Sequence, residues 1–454
     1  MKLFPIILAA GQGTRMNSAL PKVLHPIGGK PMLQHVIDRC KQLKADKLAV
    51  IYGHGGEQVR ARINDDGIHW VEQAEQKGTG HAVAQAVHLM DDDDCIVIAY
   101  GDVPLIKSKT LQALADSLQQ NDLTILTTIL DNPKGYGRIV REAGRVACIV
   151  EEKDADDTIK QITEVNSGFI AAKGGDLKRW LQALQPENAQ GEYYLTDCVG
   201  MAVAENKRVD TLICENPNEV EGVNNREQQA KLERVYQQQQ AKTLMENGTS
   251  LLDPNRIDIR GNLTVGKDVI IDVNAVFIGD VKLGDNVVIH PNCVIQDSVI
   301  GSNVTIYPNS VLEQAKVADN CSIGPFARLR PGADLQKQAK VGNFVEIKKS
   351  QIGEGSKVSH LSYIGDTEMG KDVNIGAGTI TCNYDGVNKH LTQIGDNAFI
   401  GSCTQLVAPV SVGDYATIGA GSTITKDAPA EQLTLARAKQ ISRSEWQRPT
   451  KNEE

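Results

Sequence analysis

A glycine-rich loop near the start of the chain carries the residue types that bind phosphates. The apolar run Phe4–Ala10 leads directly into Gly11–Arg15, and Lys22 follows shortly after. Glycines let backbone N–H groups approach phosphate oxygens closely, and arginine and lysine add positive charge. The loop lacks the third glycine of a dinucleotide-binding motif and the Gly-Lys-Ser/Thr ending of a P-loop. It therefore predicts a triphosphate cradle of another kind, and the alternative is a plain glycine turn between a strand and a helix.

A second group of polar residues interrupts apolar segments in the C-terminal half. Arg330, Lys348 and His360 belong to this group, and Tyr363 and Asn374 follow them. Histidine is the side chain whose ordinary pKa lies nearest neutrality, so His360 is a candidate general base. An arginine and a lysine can clamp an anionic group. The group predicts a second binding site, and the alternative is an exposed face with salt bridges.

Hydrophobic periodicity indicates the elements that position the first loop. Residues 1–225 alternate apolar runs with helical patterns, which predicts an α/β, Rossmann-like domain with a mostly parallel sheet and helices on both faces. Ligands bind such sheets at the carboxyl ends of the strands, where the loop begins. The predicted strands are Phe4–Ala10, Leu48–Tyr52, Cys95–Tyr100 and Leu123–Leu130, and the predicted helices include Met32–Lys44 and Gly80–Leu89.

Beyond Leu251 the apolar residues recur every six positions, a period that fits neither a helix nor a strand. Large aliphatic residues alternate with small or β-branched ones, which predicts a parallel β-helix of hexapeptide repeats. About three hexapeptides should complete one coil, and coils should stack ~4.8 Å apart. We expect the small residues Cys293, Val299 and Cys321 to lie inside the coil. The segment Thr381–Gln393 breaks the period, and such an excursion from a solenoid is often functional.

The two halves are joined by a segment without proline or glycine, residues 225–247, which Gly248 follows. This composition predicts one long connecting helix. We therefore divide the chain into a domain of residues 1–225, a linker helix of residues 226–248, and a β-helix domain of residues 249–454 with a C-terminal tail.

Charge and cysteine content exclude several classes of protein. The 454 residues carry a net charge of -9, which disfavours nucleic-acid binding. None of the nine cysteines forms a Cys-x-x-Cys pair, so we expect reduced thiols, a cytoplasmic location and no structural zinc site. No apolar run approaches the ~18 residues that a membrane span needs.

The sequence Leu8–Met16, followed by Pro21-Lys22, resembles the sugar-1-phosphate nucleotidyltransferases. Together with the hexapeptides and further motifs from Ile7 to Arg448, the chain resembles the bacterial GlmU family. Members of that family join an N-acetylglucosamine-1-phosphate uridyltransferase to a glucosamine-1-phosphate N-acetyltransferase. They make UDP-N-acetylglucosamine, a precursor of peptidoglycan and lipopolysaccharide.

For the N-terminal domain the resemblance implies transfer of UMP from UTP to N-acetylglucosamine-1-phosphate, with release of pyrophosphate. It places Mg²⁺ on Asp102 and Asn224 and gives Arg15 and Lys22 catalytic roles. Uracil recognition would fall to Gln73, Gly78 and Thr79. The implied contacts to UTP and UDP-N-acetylglucosamine are Leu8, Ala9, Ala10, Gly11, Lys22, Gln73, Gly78, Thr79, Tyr100, Gly101, Asp102, Gly137, Glu151, Asn166 and Asn224.

For the C-terminal domain the resemblance implies acetyl transfer from acetyl-CoA to glucosamine-1-phosphate, with His360 as the base. Arg330 and Lys348 would bind the sugar phosphate, and Tyr363 and Asn374 would orient the sugar. The implied contacts to acetyl-CoA are Ala377, Asn383, Tyr384, Ser402, Ala420 and Arg437.

Two alternatives to this assignment stay open. Cys382 or Cys403 could form an acyl-enzyme instead of direct transfer. The solenoid could also serve only to assemble the subunits of a nucleotidyltransferase. The resemblance further implies a homotrimer and a left-handed β-helix, whereas the six-residue period alone does not determine the hand. Small-molecule substrates are the expected partners, without nucleic acid or membrane.

Overall fold

The structure is a computed structural model and describes residues 1–63 and 65–451. It divides into two compact units, Met1–Gln237 and Gln238–Glu454. The division falls inside the connecting helix, which runs from Arg226 to Glu246 and is followed by Gly248 with a positive φ of 93°. The last residues of the segment assigned to the C-terminal tail, 452–454, lie outside the described residues.

The first unit contains a mostly parallel sheet, as the sequence predicts. Its strands follow the order Val209–Ile213, Leu123–Ile129, Glu164–Lys173, Asp94–Tyr100, Lys2–Ala9, Ala49–Tyr52 and His69–Glu72. All neighbours are parallel except Glu164–Lys173, which is antiparallel to both of its neighbours. Two further pairs complete the strands of the unit: Arg138–Glu142 with Arg145–Val150, which joins the same sheet beside Glu164–Lys173, and Pro26–Ile27 with Lys30–Pro31.

Helices cover both faces of this sheet because alternate residues of the central strand enter different cores. Ile6 packs in a core with Val83 and Trp180, whereas Ile7 packs in a core with Val36 and Leu114. The predicted helix Gly80–Leu89 is in fact the helix Thr79–Ala84 followed by a 3-10 turn. The helices of the unit are Met32–Gln42, Gly56–Ile63, Thr79–Ala84, Ser108–Asp116, Gly174–Ala183, Asp197–Ala204 and Pro217–Val220, and its 3-10 turns are Thr14–Met16, Lys22–Leu24, Val87–Leu89, Ser117–Gln119 and Ile159–Gln161.

The second unit is a parallel β-solenoid in which each coil supplies strands to three stacks. The first stack is Ser250–Leu251, Ile270–Ile271, Val288–Ile289, Thr305–Ile306, Ser322–Ile323, Lys340–Asn343, Lys357–His360, Asn374–Ile375, Phe399–Ile400, Thr417–Ile418 and Leu433–Thr434. The long strands Ile257–Val265 and Ala275–Leu283 begin the other two stacks. The second stack continues with Val294–Gln296, Val311–Glu313, Arg328–Leu329, Glu346–Lys348, Tyr363–Gly365, Ile380–Cys382, Gln405–Val407 and Thr423–Ile424. The third continues with Val299–Ile300, Lys316–Val317, Ala333–Leu335, Ser350–Ile352, Thr367–Met369, Thr392–Ile394 and Val410–Val412.

The interior of the solenoid is a single column of aliphatic side chains, and the hexapeptide period predicts most of it. Cys293 and Cys321 are buried as expected, and burial raises the pKa of each thiol to about 11. The prediction for Val299 is wrong, because its side chain is 51% exposed while Ser298 is fully buried. The register slips by one residue at this point. Ser298 occupies the interior because its hydroxyl donates to the carbonyl of Gln296 and accepts from the N–H of Ala315.

No helix within residues 1–63 and 65–451 is long and apolar enough to cross a membrane.

Replacing a single interior residue should weaken the solenoid far more than replacing its neighbour. Leu312 is fully buried, whereas Val311 on the same strand is 39% exposed. Leu312→Ala should lower the free energy of unfolding by about 2–5 kcal/mol, because it leaves a cavity between coils. Val311→Ala should cost less than about 1 kcal/mol. Urea titration of the full chain, followed by circular dichroism, measures both. Equal effects would contradict the inward orientation of Leu312.

Candidate active sites

The first candidate site is a cleft at the carboxyl ends of the central parallel strands. The strands Lys2–Ala9 and Asp94–Tyr100 both end at this edge, where the loop after each one turns away from the sheet. The cleft has a volume of about 290 Å³. Its lining residues are Leu8, Ala9, Ala10, Gly11, Lys22, Val23, Gln73, Gln76, Gly78, Thr79, Ala82, Tyr100, Asp102 and Glu192.

Lys22 is the central charge of this cleft. Its ammonium group lies 2.5 Å from Asp102 Oδ2 and 3.2 Å from Asn224 Oδ1. The side chains of Lys22 and Asp102 are only 13% and 15% exposed, so water screens their attraction weakly. Three residues that are far apart in the sequence thus meet at one point. The N–H of Val223 donates to the carbonyl of Asp102, which holds the two oxygen-bearing loops together.

The oxygens of Asp102 and Asn224 fit a magnesium ion. Both approach a single cation, the Lys22 ammonium, so both could reach one metal ion. Mg²⁺ prefers oxygen ligands and takes few from the protein, since water and phosphate complete its shell. Within the described part of the chain no group of three or more His, Cys, Asp or Glu side chains could hold a metal ion.

Gln73 is a buried residue of the cleft lining, and its side-chain amide already makes hydrogen bonds within the protein. Its Nε2 donates to the carbonyl of Gly78 at 3.2 Å and lies 3.1 Å from His81 Nδ1. The resemblance assigns uracil recognition to Gln73 among others, but the N–H groups of its amide are used within the protein. Only the side-chain oxygen Oε1 of Gln73 is therefore left to accept a hydrogen bond from a bound base. Thr79 accepts a hydrogen bond from the N–H of Leu195.

The residues predicted for the sugar lie together beside Tyr100. The N–H of Asn166 donates to the carbonyl of Gly137, and a Cβ on Gly137 would lie 3.2 Å from the Glu151 carboxylate. Burial raises the pKa of Glu151, while the Thr196 hydroxyl, 3.2 Å away, opposes this shift. Burial also raises the pKa of Tyr100, with the charge of Glu151 as the next cause.

Sequence analysis and structure differ at the margins of this cleft. Arg15 is exposed in the turn Thr14–Met16 and does not belong to the lining. Gln76 and Glu192 line the cleft although the sequence did not single them out. Gln76 donates to the carbonyl of Gln73, and nothing in its spacing distinguishes it from a solvated loop residue.

The second candidate site begins at one corner of the solenoid, where His360 ends a strand of the first stack. Equivalent residues of the following coils stack on His360 in a row along the solenoid axis. In each coil the residue after the stacked one donates its backbone N–H to the carbonyl of the stacked residue in the preceding coil. Gly378 donates to His360, Cys403 to Ala377, and Gly421 to Ser402. Arg437 donates to the carbonyl of Ala420 at 2.8 Å. The structure thus aligns His360 with four predicted acetyl-CoA contacts: Ala377, Ser402, Ala420 and Arg437.

His360 has a hydrogen-bond partner that the sequence analysis missed. Its Nδ1 lies 2.8 Å from Asn343 Oδ1, and the two residues are 17 apart, which is one coil. An amide oxygen can only accept, so Nδ1 carries the proton and the lone pair resides on Nε2. The imidazole is therefore oriented as a base. Asn343 could have been identified from the sequence by counting back one coil, 17 residues, from His360.

A cluster of ion pairs lies where strands of the second stack end, on the face of the solenoid that follows His360. Arg330 contacts Glu346 at 2.8 Å, and Lys348 contacts Asp366 at 3.2 Å. The buried carboxylate of Asp366 also accepts from Asn383 Nδ2 at 2.5 Å. Asp366, another residue not identified from the sequence, thus joins the predicted phosphate-binding lysine to the excursion loop. Asp366 lies about one coil from both Lys348 and Asn383, so counting one coil from either residue could have identified it as a neighbour.

The predicted acetyltransferase residues do not all meet within one chain. Asn374 lies on the first stack, whereas Tyr363 and Lys348 lie on the second. Asn383 lies at the Asp366 end of the face, away from the row that contains Ala377. Tyr384 is exposed on the excursion loop, where its hydroxyl donates to the carbonyl of Gly386.

The excursion loop is held in shape by charge. Asp385 accepts from His390 at 2.7 Å and from the N–H groups of Val387 and Asn388. The His390 contact is the main reason that the pKa of Asp385 is held below its usual range. The neighbouring Lys348 ammonium lowers the pKa of Lys389. Burial raises the pKa of Cys382, which disfavours the thiolate that an acyl-enzyme would require.

The parallel sheet with its glycine-rich loop, and the hexapeptide solenoid, define a nucleotidyltransferase joined to a hexapeptide transferase. Residues 5–163 match the MobA-like NTP transferase domain. Residues 262–297, 297–331 and 391–426 match the bacterial transferase hexapeptide family. The chain is 57% identical to the bifunctional protein GlmU of Marinobacter nauticus over 450 residues, which covers 99% of each sequence. The chain therefore belongs to the GlmU family.

Among solved structures, the chain is similar to a UDP-glucose pyrophosphorylase complexed with UDP-glucose. The TM-score is 0.44 at 16% sequence identity, and the match covers 52% of this chain and 98% of that one.

A methyl group at Gly11 should obstruct the cleft without disturbing the fold. A Cβ there would meet no protein atom within 4 Å, so it would add a methyl group to open space at the lining of the cleft, where we expect the triphosphate to bind. Gly11→Ala should weaken binding of a nucleoside triphosphate about tenfold to hundredfold, as overpacking by roughly 1–3 kcal/mol implies. Calorimetric titration measures this. Gly200→Ala is the matched control, because a Cβ at that helical position also meets nothing within 4 Å. Unchanged affinity in Gly11→Ala would place the phosphates elsewhere.

Proposed function

We propose that this chain makes UDP-N-acetylglucosamine through two transfer reactions, one in each unit. The first unit transfers UMP from UTP to N-acetylglucosamine-1-phosphate, and the second transfers acetyl from acetyl-CoA to glucosamine-1-phosphate. Family membership supports both assignments. The observation that supports them most is the presence of two separate polar sites. In one site Lys22 contacts the side-chain oxygens of Asp102 and Asn224, and in the other His360 is oriented by Asn343.

Uridyl transfer needs charge neutralisation rather than a base. A phosphate oxygen of the sugar forms a bond to the α-phosphorus of UTP, and the bond to the bridging oxygen breaks, so pyrophosphate leaves with the electron pair. The nucleophile is already an anion, and negative charge accumulates on the phosphates. Lys22 is positioned to offset that charge, with the backbone N–H groups of the Gly11 loop beside it. Arg15, exposed in the turn Thr14–Met16, is proposed to reach the phosphates from outside the cleft.

Mg²⁺ is the proposed metal of this site, held by Asp102 and Asn224. When bound, it would polarise the phosphates and neutralise part of their charge. Uracil would contact Gln73, and the sugar would lie on the Glu151 side of Tyr100.

Acetyl transfer needs a base that takes one proton. The amine nitrogen forms a bond to the thioester carbonyl carbon, the C–S bond breaks, and the sulfur leaves with the electron pair. His360 Nε2 is free to take the proton from the amine, because Nδ1–H is directed to Asn343. The proton that His360 gains can then pass to the departing thiolate, which restores the neutral imidazole.

The face between His360 and Lys348 is the proposed place of the amino sugar. His360 lies at the start of this face, Tyr363 lies along it, and Lys348 ends it beside Arg330. A sugar phosphate lying along the face would direct its amine to His360 and its phosphate to the two cations. Acetyl-CoA would follow the row above His360, with Arg437 against its phosphates.

One corner of the solenoid supports assembly into a trimer. Asn274, Asn292 and Asn309 occupy its left-handed turns in the first coils, with φ near 60°. In the next coils Phe326, Phe344 and Leu361 take this place with φ between 50° and 56°, and they are 49%, 55% and 63% exposed. Bulky residues in this conformation cost about 1–3 kcal/mol each, whereas asparagine tolerates it.

Burial of this apolar corner against other copies of the chain would offset that cost. The rings of Phe326 and Phe344 stack at 5.2 Å and form a continuous apolar surface. Asn343 and His360 directly precede Phe344 and Leu361, so an adjoining copy would lie next to the base. This arrangement would let Asn374 of one copy approach the amino sugar of another.

Substitutions in the two sites should separate the two activities. Asp102→Ala should abolish uridyl transfer and leave acetyl transfer intact, since it removes one proposed metal ligand. His360→Ala should lower acetyl transfer by about 10²–10⁴-fold and leave uridyl transfer intact, as expected for loss of a general base. Release of CoA thiol and release of pyrophosphate measure the two reactions. Absence of CoA release from the unmodified protein would support the second candidate, a solenoid that only assembles subunits.

The apolar corner gives a test of assembly that does not weaken the fold. The double variant Phe326→Asn, Phe344→Asn places at these turns the residue that the preceding coils already use. We expect thermal stability of the monomer to be kept, while light scattering shows loss of the trimer. Acetyl transfer should fall with the trimer, and uridyl transfer should persist. A monomeric unmodified protein, or a variant that remains trimeric, would contradict the proposal.

A further inference from the structure

One face of the connecting helix contacts the segment that carries Lys22. Residues 22–28, called here the lysine segment, run from that lysine to Gly28. Arg226, Gln229, Glu233 and Tyr236 all contact this segment. Their spacing of three or four residues places them on one side of a helix. The contacts are thus a property of the helix face rather than of one side chain.

Three hydrogen bonds connect the helix to successive residues of the lysine segment. Arg226 Nη1 donates to His25 Nδ1 at 3.1 Å. Gln229 Nε2 donates to the carbonyl of Pro26 at 2.9 Å. Glu233 Oε2 accepts from the N–H of Gly28 at 2.7 Å. The helix therefore adds three hydrogen bonds to those of the segment's own turn, Lys22–Leu24, and strand, Pro26–Ile27.

Tyr236 closes the contact at Gly28. This glycine has a φ of 56°, and a Cβ placed on it would overlap the Tyr236 ring. The same ring lies edge-on to His35 with 5.4 Å between centroids. Nε2 of His35 lies 2.8 Å from the carbonyl of Ile27, so both sides of the segment are fixed.

His25 connects this contact to the catalytic lysine. Its side chain is 3% exposed, and its backbone N–H donates to the carbonyl of Lys22, which closes the turn that presents the ammonium group. Burial, followed by the charge of Arg226, lowers the pKa of the imidazole. The ring is therefore neutral near pH 7, and Nδ1 can accept from Arg226. Arg226 also lies two residues after Asn224, whose side-chain oxygen contacts Lys22.

We propose that the first half of the connecting helix is a positioning device for nucleotidyl transfer, with His25 and Glu233 as its positioning residues. The helix holds the lysine segment so that the Lys22 ammonium stays in the cleft, next to Asp102 and Asn224. Neither residue touches the substrates; both act through Lys22. This inference rests on the proposed role of Lys22 in uridyl transfer. It also means that the residues needed for this site extend beyond residue 225 into the helix.

Loss of the contact should lower kcat more than it changes KM. The Gly11 loop and Gln73 still bind UTP, whereas Lys22 stabilises charge that develops in the transition state. Misplacement of a catalytic group by about 1 Å can cost ~10²-fold. His25→Ala and Glu233→Ala should therefore each lower kcat for uridyl transfer about tenfold to hundredfold, with KM for UTP within about threefold.

The experiment measures both activities of the full-length protein in the same preparation. Acetyl transfer should stay unchanged in both variants, which shows that the second unit is folded, and the retained KM for UTP shows the same for the first unit. His25→Asn should restore most of kcat, because the amide oxygen of asparagine can accept from Arg226 in place of Nδ1. Glu227→Ala, at an exposed position on the first turn of the same helix, is the matched control and should retain full activity.

Three results would overturn the proposal: unchanged kcat in both alanine variants, loss of acetyl transfer together with uridyl transfer, or failure of His25→Asn to exceed His25→Ala. Failure of the proposed function is a different result. In that case the unmodified protein would release no pyrophosphate from UTP and N-acetylglucosamine-1-phosphate, whatever residue stands at position 25.

Discussion

Parallel pairing of strands is the constraint on which both sites depend. When neighbouring strands run in the same direction, their carboxyl ends meet at one edge, and residues at equivalent positions stack in rows. In the first unit this brings the loop after Ala9 and the loop after Tyr100 to one cleft. In the second unit it aligns Asn343 with His360 across one coil. The same backbone rule thus gathers polar residues that are far apart in sequence at two different places.

Three of the anion-binding side chains that we propose are already paired with an acidic group. Lys22 contacts Asp102, Lys348 contacts Asp366, and Arg330 contacts Glu346. Such pairs hold long, flexible side chains in one orientation, which reduces the entropy lost when a phosphate binds. They also keep local charge balanced in a chain whose net charge is -9.

The periodic parts of the molecule could be predicted closely, and the departures from them show why the rest could not. The six-residue period correctly predicts that Cys293 and Cys321 are buried. It fails at Val299, because a hydroxyl group can take the interior place when backbone partners satisfy it, as they do for Ser298. The period also identifies which residues belong to one coil, but not which of them carry a hydrogen bond across coils. Asn343 and Asp366 were missed for this reason.

The amino-acid sequence alone determined the class of each half, the glycine-rich loop, the connecting helix and the repetitive solenoid. These features depend on short-range rules: the period of apolar residues, the freedom of glycine, and the absence of helix breakers. Only the tertiary structure decided which polar atoms meet: Lys22 with Asn224, His360 with Asn343, and the helix face with Gly28. Those contacts depend on distances between segments that no local pattern encodes, because they arise when whole elements pack against one another.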